Sequence, residues 1–219
     1  MIEINGIYKN FGAKQALRDV SFNVAEGEIM GFLGPNGAGK TTTMNILTGY
    51  LSATAGTARI DGVDVLEKPL VAKSKIGFLP EQPPLYMDMT VKEYLNFVYG
   101  LKNCRLPRAQ HIKEICEVVR IGDVYGRIIK NLSKGYRQRV GIARTMLTDP
   151  DVIVMDEPTS SLDVLHEKEL LKTLREECAD KMLIIVSHRP STLTGCTRII
   201  RLENGRAVNS LESRKSLFV

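Results

Sequence analysis

Gly34-Pro35-Asn36-Gly37-Ala38-Gly39-Lys40-Thr41-Thr42 is the stretch that decides how this 219-residue chain is read. It fits the phosphate-binding loop pattern G-x-x-x-x-G-K-[ST], and its flanks weigh as much as its letters. Ile29-Met30-Gly31-Phe32-Leu33 ahead of it is an apolar run of strand length, and Met44, Ile46 and Leu47 behind it recur at helical spacing. Strand, tight loop and helix, in that order, are what phosphate binding requires. Gly34, Gly37 and Gly39 let the backbone wrap an anion so that successive N–H groups converge on its oxygens. The helix dipole adds only about 0.3–1 kcal/mol per charge in an exposed setting. The converging N–H groups and Lys40, a point charge for the β- and γ-phosphates, therefore do most of the binding, and the Thr41 hydroxyl is placed to ligate magnesium.

A second apolar strand, Val152-Ile153-Val154-Met155, ends in Asp156-Glu157. At the carboxyl end of a buried parallel strand, Asp156 can hold the magnesium shell and Glu157 can polarise a water for in-line attack on the γ-phosphate. A third, Met182-Leu183-Ile184-Ile185-Val186, leads through Ser187 to His188. Open parallel sheets bind ligands outside the carboxyl ends of their strands, so His188 is placed to reach the same phosphate or its attacking water. His111 and His166 fall on the polar sides of helices and read as surface residues.

The remaining pattern frames this site. Alternation of Ile2, Ile4 and Ile7, then of Val20, Phe22 and Val24, predicts two strands before the loop, and Thr57–Ile60 and Lys75–Leu79 read as further strands. Val91, Tyr94, Leu95 and Val98 share one helical face; Ile112, Ile115, Val118 and Val119 share another. A helix is expected from Tyr136 to about Leu147. Another runs from Asp163 to Cys178, with Val164, Leu171, Leu174 and Cys178 inward and Glu167, Lys168, Arg175 and Glu176 toward water. Asn204-Gly205 between Arg198–Leu202 and Arg206–Asn209 marks a hairpin.

Composition excludes more than it assigns. Hydrophobic content of 43% and charged content of 25% are those of a globular domain. A net charge of +5 comes without a dense basic block or basic-aromatic interleaving, so no nucleic-acid partner is expected. Cys104, Cys116, Cys178 and Cys196 form no C-x-x-C or Cys/His cluster, which argues against zinc and a disulfide framework and for a reducing cytosol. No stretch approaches the ~20 apolar residues of a membrane span.

Asn131-Leu132-Ser133-Lys134-Gly135-Tyr136-Arg137-Gln138-Arg139 resembles the signature motif of the ATP-binding cassette (ABC) family, whose usual core is Leu-Ser-Gly-Gly-Gln. The phosphate loop, Asp156-Glu157-Pro158-Thr159, Ser161-Leu162-Asp163 resembling the D-loop and His188 resembling the switch histidine complete the family's motif order across nearly the whole chain. The resemblance implies a P-loop NTPase of the ABC-ATPase fold in one domain, 1–219: a nucleotide-binding core with a parallel sheet and an N-terminal antiparallel β subdomain (1–81 and 141–219), and an inserted helical subdomain (82–140). It implies an ATPase that uses ATP and Mg2+, closes head to tail with a second cassette, and sits on the cytoplasmic face of a membrane through a permease whose coupling helix meets the helical lobe. Ser133 and Gly135, with Asp163, would reach the γ-phosphate bound by the partner cassette, and Phe11 would stack on adenine.

Three positions depart from the usual pattern. Lys134 and Tyr136 stand where glycine and glutamine are common, a variant that resembles exporter-type cassettes. Glu81 follows Pro80 where the family has a metal-sensing glutamine, so Glu81 is expected to act as a carboxylate ligand, with the adjacent Gln82 as the alternative. A soluble non-transport cassette protein and a non-hydrolysing regulatory module are the competing readings. Intact Lys40, Asp156, Glu157 and His188 favour hydrolysis over the second.

Overall fold

The structure, a computed structural model, describes residues 1–160 and 162–212. β1 (Ile2–Phe11) and β2 (Lys14–Val24) pair antiparallel, with Ile4 opposite Phe22 and Ile7 opposite Val20. Their alternation buries Ile2, Ile4, Ile7, Val20 and Val24 on one face while the other meets solvent, as in a one-sided antiparallel sheet. β3 (Ile29–Leu33) feeds the glycine-rich loop and α1 (Lys40–Leu47). β4 (Ala55–Ile60) and β5 (Val63–Asp64) extend the first sheet to the order β2-β1-β4-β5. α2 (Pro69–Ser74), a helix too short to leave a periodic signature, opens on a proline whose fixed φ suits a first helical turn, and it leads to β6 (Ile76–Leu79).

The middle of the chain is helical. α3 (Val91–Leu101) begins with a capping box in which Thr90 accepts from the Glu93 N–H and the Glu93 carboxylate accepts from the Thr90 N–H. α4 (Arg108–Val118) follows, then α5 (Lys134–Met146), which starts two residues before the expected Tyr136 because Ser133 caps it. β7 (Val152–Asp156), α6 (Val164–Glu177), β8 (Met182–Ser187) and the hairpin β9 (Arg198–Glu203) and β10 (Arg206–Glu212) complete the chain. Asn204 and Gly205 have φ of 49° and 77°, the left-handed pair that a two-residue hairpin turn needs. Among the described residues no helix is long and apolar enough to cross a membrane.

The second sheet has the order β10-β9-β3-β8-β7-β6, parallel from β9 to β6 with β10 antiparallel at its edge. Every residue of β7 and β8 is buried, because both faces are covered. Period two divides their side chains between two cores. Ile153, Met155, Leu183 and Ile185 pack with the helical layer of α3 to α6, whereas Val152, Val154, Ile184 and Val186 pack with α1 and the antiparallel sheet. β3, β8 and β7 lie side by side, so the chain segments leaving their carboxyl ends meet on one rim: the glycine-rich loop, Ser187-His188 and Asp156-Glu157.

One expected surface residue is buried. Glu167 is 6% exposed and lies in phase with Leu171, Leu174 and Cys178 on the inward stripe of α6, where hydrogen-bond partners replace the water expected around it. His111 is likewise half-buried, its Nε2 3.1 Å from the Leu147 carbonyl. Ser161 and the side chain of Val164 lie outside the described residues.

Candidate active site

The loop's geometry follows from its glycines. Gly37 and Gly39 hold φ of 80° and 107°, and a Cβ on Gly39 would meet Leu17 at 2.6 Å. Gly34 needs its lack of a side chain for a different reason: a Cβ there would stand 2.5 Å from the Leu202 carbonyl oxygen. The β9–β10 hairpin thus forms the floor of the loop, and the Gly205 N–H donates to the Ala38 carbonyl at 3.0 Å. That buttressing role was not read from the sequence, which marked only the turn. α1 has no side-chain cap and no acid in its first turn, so its amino end keeps its positive potential.

Lys40 is buried, its ammonium donating to the Gly34 and Pro35 carbonyls at 2.7 and 3.2 Å. A groove of about 730 Å3 runs beside it, bordered by Asn36, Gly37, Lys40, Thr41 and Thr42 and, at its far side, by the half-exposed Phe11 ring. Lys9 Nζ sits 5.1 Å from that ring's centroid. The volume falls in the range of small-molecule sites.

Across the loop, Thr41 Oγ1 donates to Asp156 Oδ2 at 3.1 Å. Burial pushes the Asp156 carboxyl up to about 6, the Thr41 bond pulls it down, the Glu157 and Glu81 charges push it further up, and Lys40 opposes them. A desolvated carboxylate touching a hydroxyl, with two more acids in electrostatic reach, is an environment that a hard divalent cation relieves. Among the described residues no cluster of three or more Asp, Glu, His or Cys is assembled as a full metal cage. The Thr41 hydroxyl and the Asp156 carboxylate are hard oxygen donors, and magnesium takes one or two protein carboxylates and completes its shell with phosphate and water. Glu81 is exposed beyond the end of β6.

Glu157 is the strained residue of the site. Its φ is 49°, in the left-handed region, and its carboxylate is buried. Oε1 accepts from the His188 N–H at 2.8 Å and lies 2.7 Å from His188 Nδ1, which donates in the tautomer carrying its proton there. Oε2 accepts from the Ser187 hydroxyl at 3.2 Å. His188 itself is 47% exposed at its side chain, so the pair spans the boundary between core and surface. Ser187 escaped the sequence reading because a serine after an apolar strand carries no signal of its own. Glu167 escaped it despite one: a charged residue in phase with an apolar stripe.

Ser133 and Gly135 are elsewhere. Ser133 Oγ accepts from the Tyr136 N–H at 3.3 Å, capping α5, whose first turn also lacks an acid. The Tyr136 hydroxyl donates to Asp123 Oδ2 at 2.6 Å, which gives the unusual tyrosine a structural use. Ser133, Lys134, Gly135, Tyr136, Leu162 and Asp163 border a second groove that shares no lining residue with the first. Asp163 accepts from the His166 N–H at 3.1 Å and approaches its Nδ1 at 2.5 Å. The chain thus brings Lys40, Thr41, Asp156, Glu157 and His188 together and puts Ser133, Gly135 and Asp163 on a separate surface.

The chain is similar to known proteins along most of its length. The profile of the family described as "ABC transporter" matches residues 17–160. Nod factor export ATP-binding protein I of Paraburkholderia xenovorans is 34% identical over 94% of this chain and 69% of its own length. Sulfate/thiosulfate import ATP-binding protein CysA of Vibrio cholerae is 32% identical over 99% and 59%. The bacterial ABC transporter cassette MJ0796, solved as a dimer, superimposes with a TM-score of 0.89 at 27% identity, covering 98% of this chain and 100% of that one. The same cassette in a post-hydrolysis state with ADP and Pi gives 0.87 at 26% identity, with coverage of 98% and 100%. A glycine-rich loop backed by buried acids, the family profile and these neighbours lead to one conclusion: the chain belongs to the ABC transporter family, as an ATP-binding cassette with ATPase activity.

Proposed function

We propose that this cassette is the motor of a membrane transporter: two cassettes close head to tail around magnesium-ATP, and the cycle of closing and opening drives a separate permease that exports its substrate. The observation that carries the reading is the separation of the two grooves. A signature serine that shares no groove with Lys40 and Thr41 can complete a nucleotide site only when a second cassette presents it.

In this reading Phe11 stacks on adenine, and the loop from Gly34 to Thr42 with Lys40 grips the phosphates. Thr41, Asp156 and Glu81 would hold magnesium, which would supply positive charge to offset that of the phosphates. Glu157 accepts the proton of the attacking water as its oxygen bonds to the γ-phosphorus. The bond to the β–γ bridging oxygen breaks, and ADP and inorganic phosphate leave. His188 holds the Glu157 carboxylate and presents its exposed edge toward the γ-phosphate. Ser133, Gly135 and the α5 amino end stabilise that phosphate from the other cassette, and Asp163 links the two. The permease tethers the pair to the cytoplasmic face of the membrane and meets the helical region 82–140. Export is chosen on Leu132-Ser133-Lys134-Gly135-Tyr136 and Pro80-Glu81, which resemble the exporter branch.

Complementation tests the head-to-tail site. Lys40→Ala and Ser133→Arg chains, each inactive alone, should regain turnover when mixed, because one mixed dimer site then has both an intact loop and an intact signature. A mixture that stays inactive contradicts the reading.

A further inference from the structure

Behind the catalytic rim, three consecutive residues leaving β8 grip the segment leaving β7. Ser187 and His188 hold the Glu157 carboxylate, and Arg189 Nη2 donates to the Thr159 carbonyl at 3.2 Å and to its hydroxyl oxygen at 3.1 Å. Glu167 anchors both segments from α6. Its Oε1 accepts from the Thr159 hydroxyl at 2.8 Å and the Thr192 hydroxyl at 2.7 Å and lies 3.5 Å from Arg189 Nη2.

The arrangement carries costs that stability alone does not explain. Glu157 sits at a left-handed φ, and Arg189 Nε is buried with no partner among the described residues. Taking the Glu167 carboxylate out of water also offsets much of its attraction to Arg189, whose side chain is 35% exposed. What Glu167 and Arg189 do fix is the spacing between the two segments, and that spacing sets where Glu157 meets His188.

We infer that Glu167 is a positioning residue for ATP hydrolysis: through Thr159, Thr192 and Arg189 it locks the two rim segments so that Glu157 and His188 stay in contact at the γ-phosphate. This rests on the assignment of Glu157 as the base proposed above. Misplacing a reacting group by about an ångström can cost on the order of 100-fold in rate, so loosening the lock acts on turnover and leaves the glycine-rich loop's own phosphate contacts alone.

The test compares Glu167→Leu, Glu167→Leu/Arg189→Met and Glu157→Gln for ATP affinity, kcat, KM and Tm. Glu167→Leu, which cannot accept from Thr159 or Thr192, should bind ATP normally, lower kcat roughly 10- to 100-fold at unchanged KM, and lower Tm because those hydroxyls and Arg189 lose a shared acceptor. The double variant, which removes the Arg189 cation together with its carboxylate partner, should recover part of that Tm while kcat stays low; it carries the test alone if the single variant does not fold. Recovery of kcat together with Tm would reduce the pair to a structural role and overturn the inference, as would wild-type kcat in Glu167→Leu. Wild-type turnover in Glu157→Gln would instead remove the base assignment, a failure separable from that of the lock.

Discussion

α1 and α5 both present an amino end free of acids, yet they are built differently. α1 is entered through left-handed glycines, has no side-chain cap, and has Lys40, Thr41 and Asp156 gathered around it. α5 is entered through a serine cap, with no carboxylate but Asp163 in its groove and its tyrosine tied to Asp123. The first end has the parts for binding and cleaving a nucleotide; the second offers N–H groups, a hydroxyl and the Lys134 cation, without the buried acids. A helix end so equipped makes chemical sense as the completing half of another molecule's site. The head-to-tail proposal rests on that asymmetry.

Substitutions can break or sharpen the contrast. The largest effect is expected at Glu157→Gln: removing a general base should lower turnover about 10²- to 10⁴-fold while ATP affinity holds, measured by steady-state phosphate release and calorimetry. Unchanged turnover would move the base elsewhere. Ser133→Arg should leave folding and monomer ATP binding intact but reduce turnover by about 10²- to 10³-fold, the cost of losing one phosphate-facing donor. Normal turnover there would mean that α5 completes nothing. Lys40→Ala should weaken ATP roughly 100-fold, as expected for lost hydrogen bonds to charged groups, and an undiminished affinity in calorimetry would contradict its role. Smallest is Tyr136→Phe, which should lower stability by about 0.5–1 kcal/mol through the lost Asp123 bond without changing turnover. A drop in kcat instead would place the tyrosine in the phosphate site.

The gathering of Lys40, Thr41, Asp156, Glu157 and His188 on one rim was legible because parallel strands deliver their carboxyl ends to the same edge, and each strand was an unbroken apolar run. α2 was not legible, since six residues are too few for a helical period to show. Glu167 was misread because charge was taken as a sign of solvent exposure, although its phase with Leu171, Leu174 and Cys178 pointed inward. Its partners Thr159, Arg189 and Thr192 come from two other segments of the chain, and no local pattern announces such a network. The floor that the β9–β10 hairpin provides for the glycine-rich loop is hidden for the same reason.

The most direct measurement is the mass of Glu157→Gln protein in solution by light scattering, with and without ATP and magnesium. A variant that binds ATP and cannot cleave it should shift from monomer to dimer only when both are present. A mass that stays monomeric at saturating magnesium-ATP would contradict closure of two cassettes around the nucleotide, and with it the assignment of Ser133 and Gly135 to a neighbour's site.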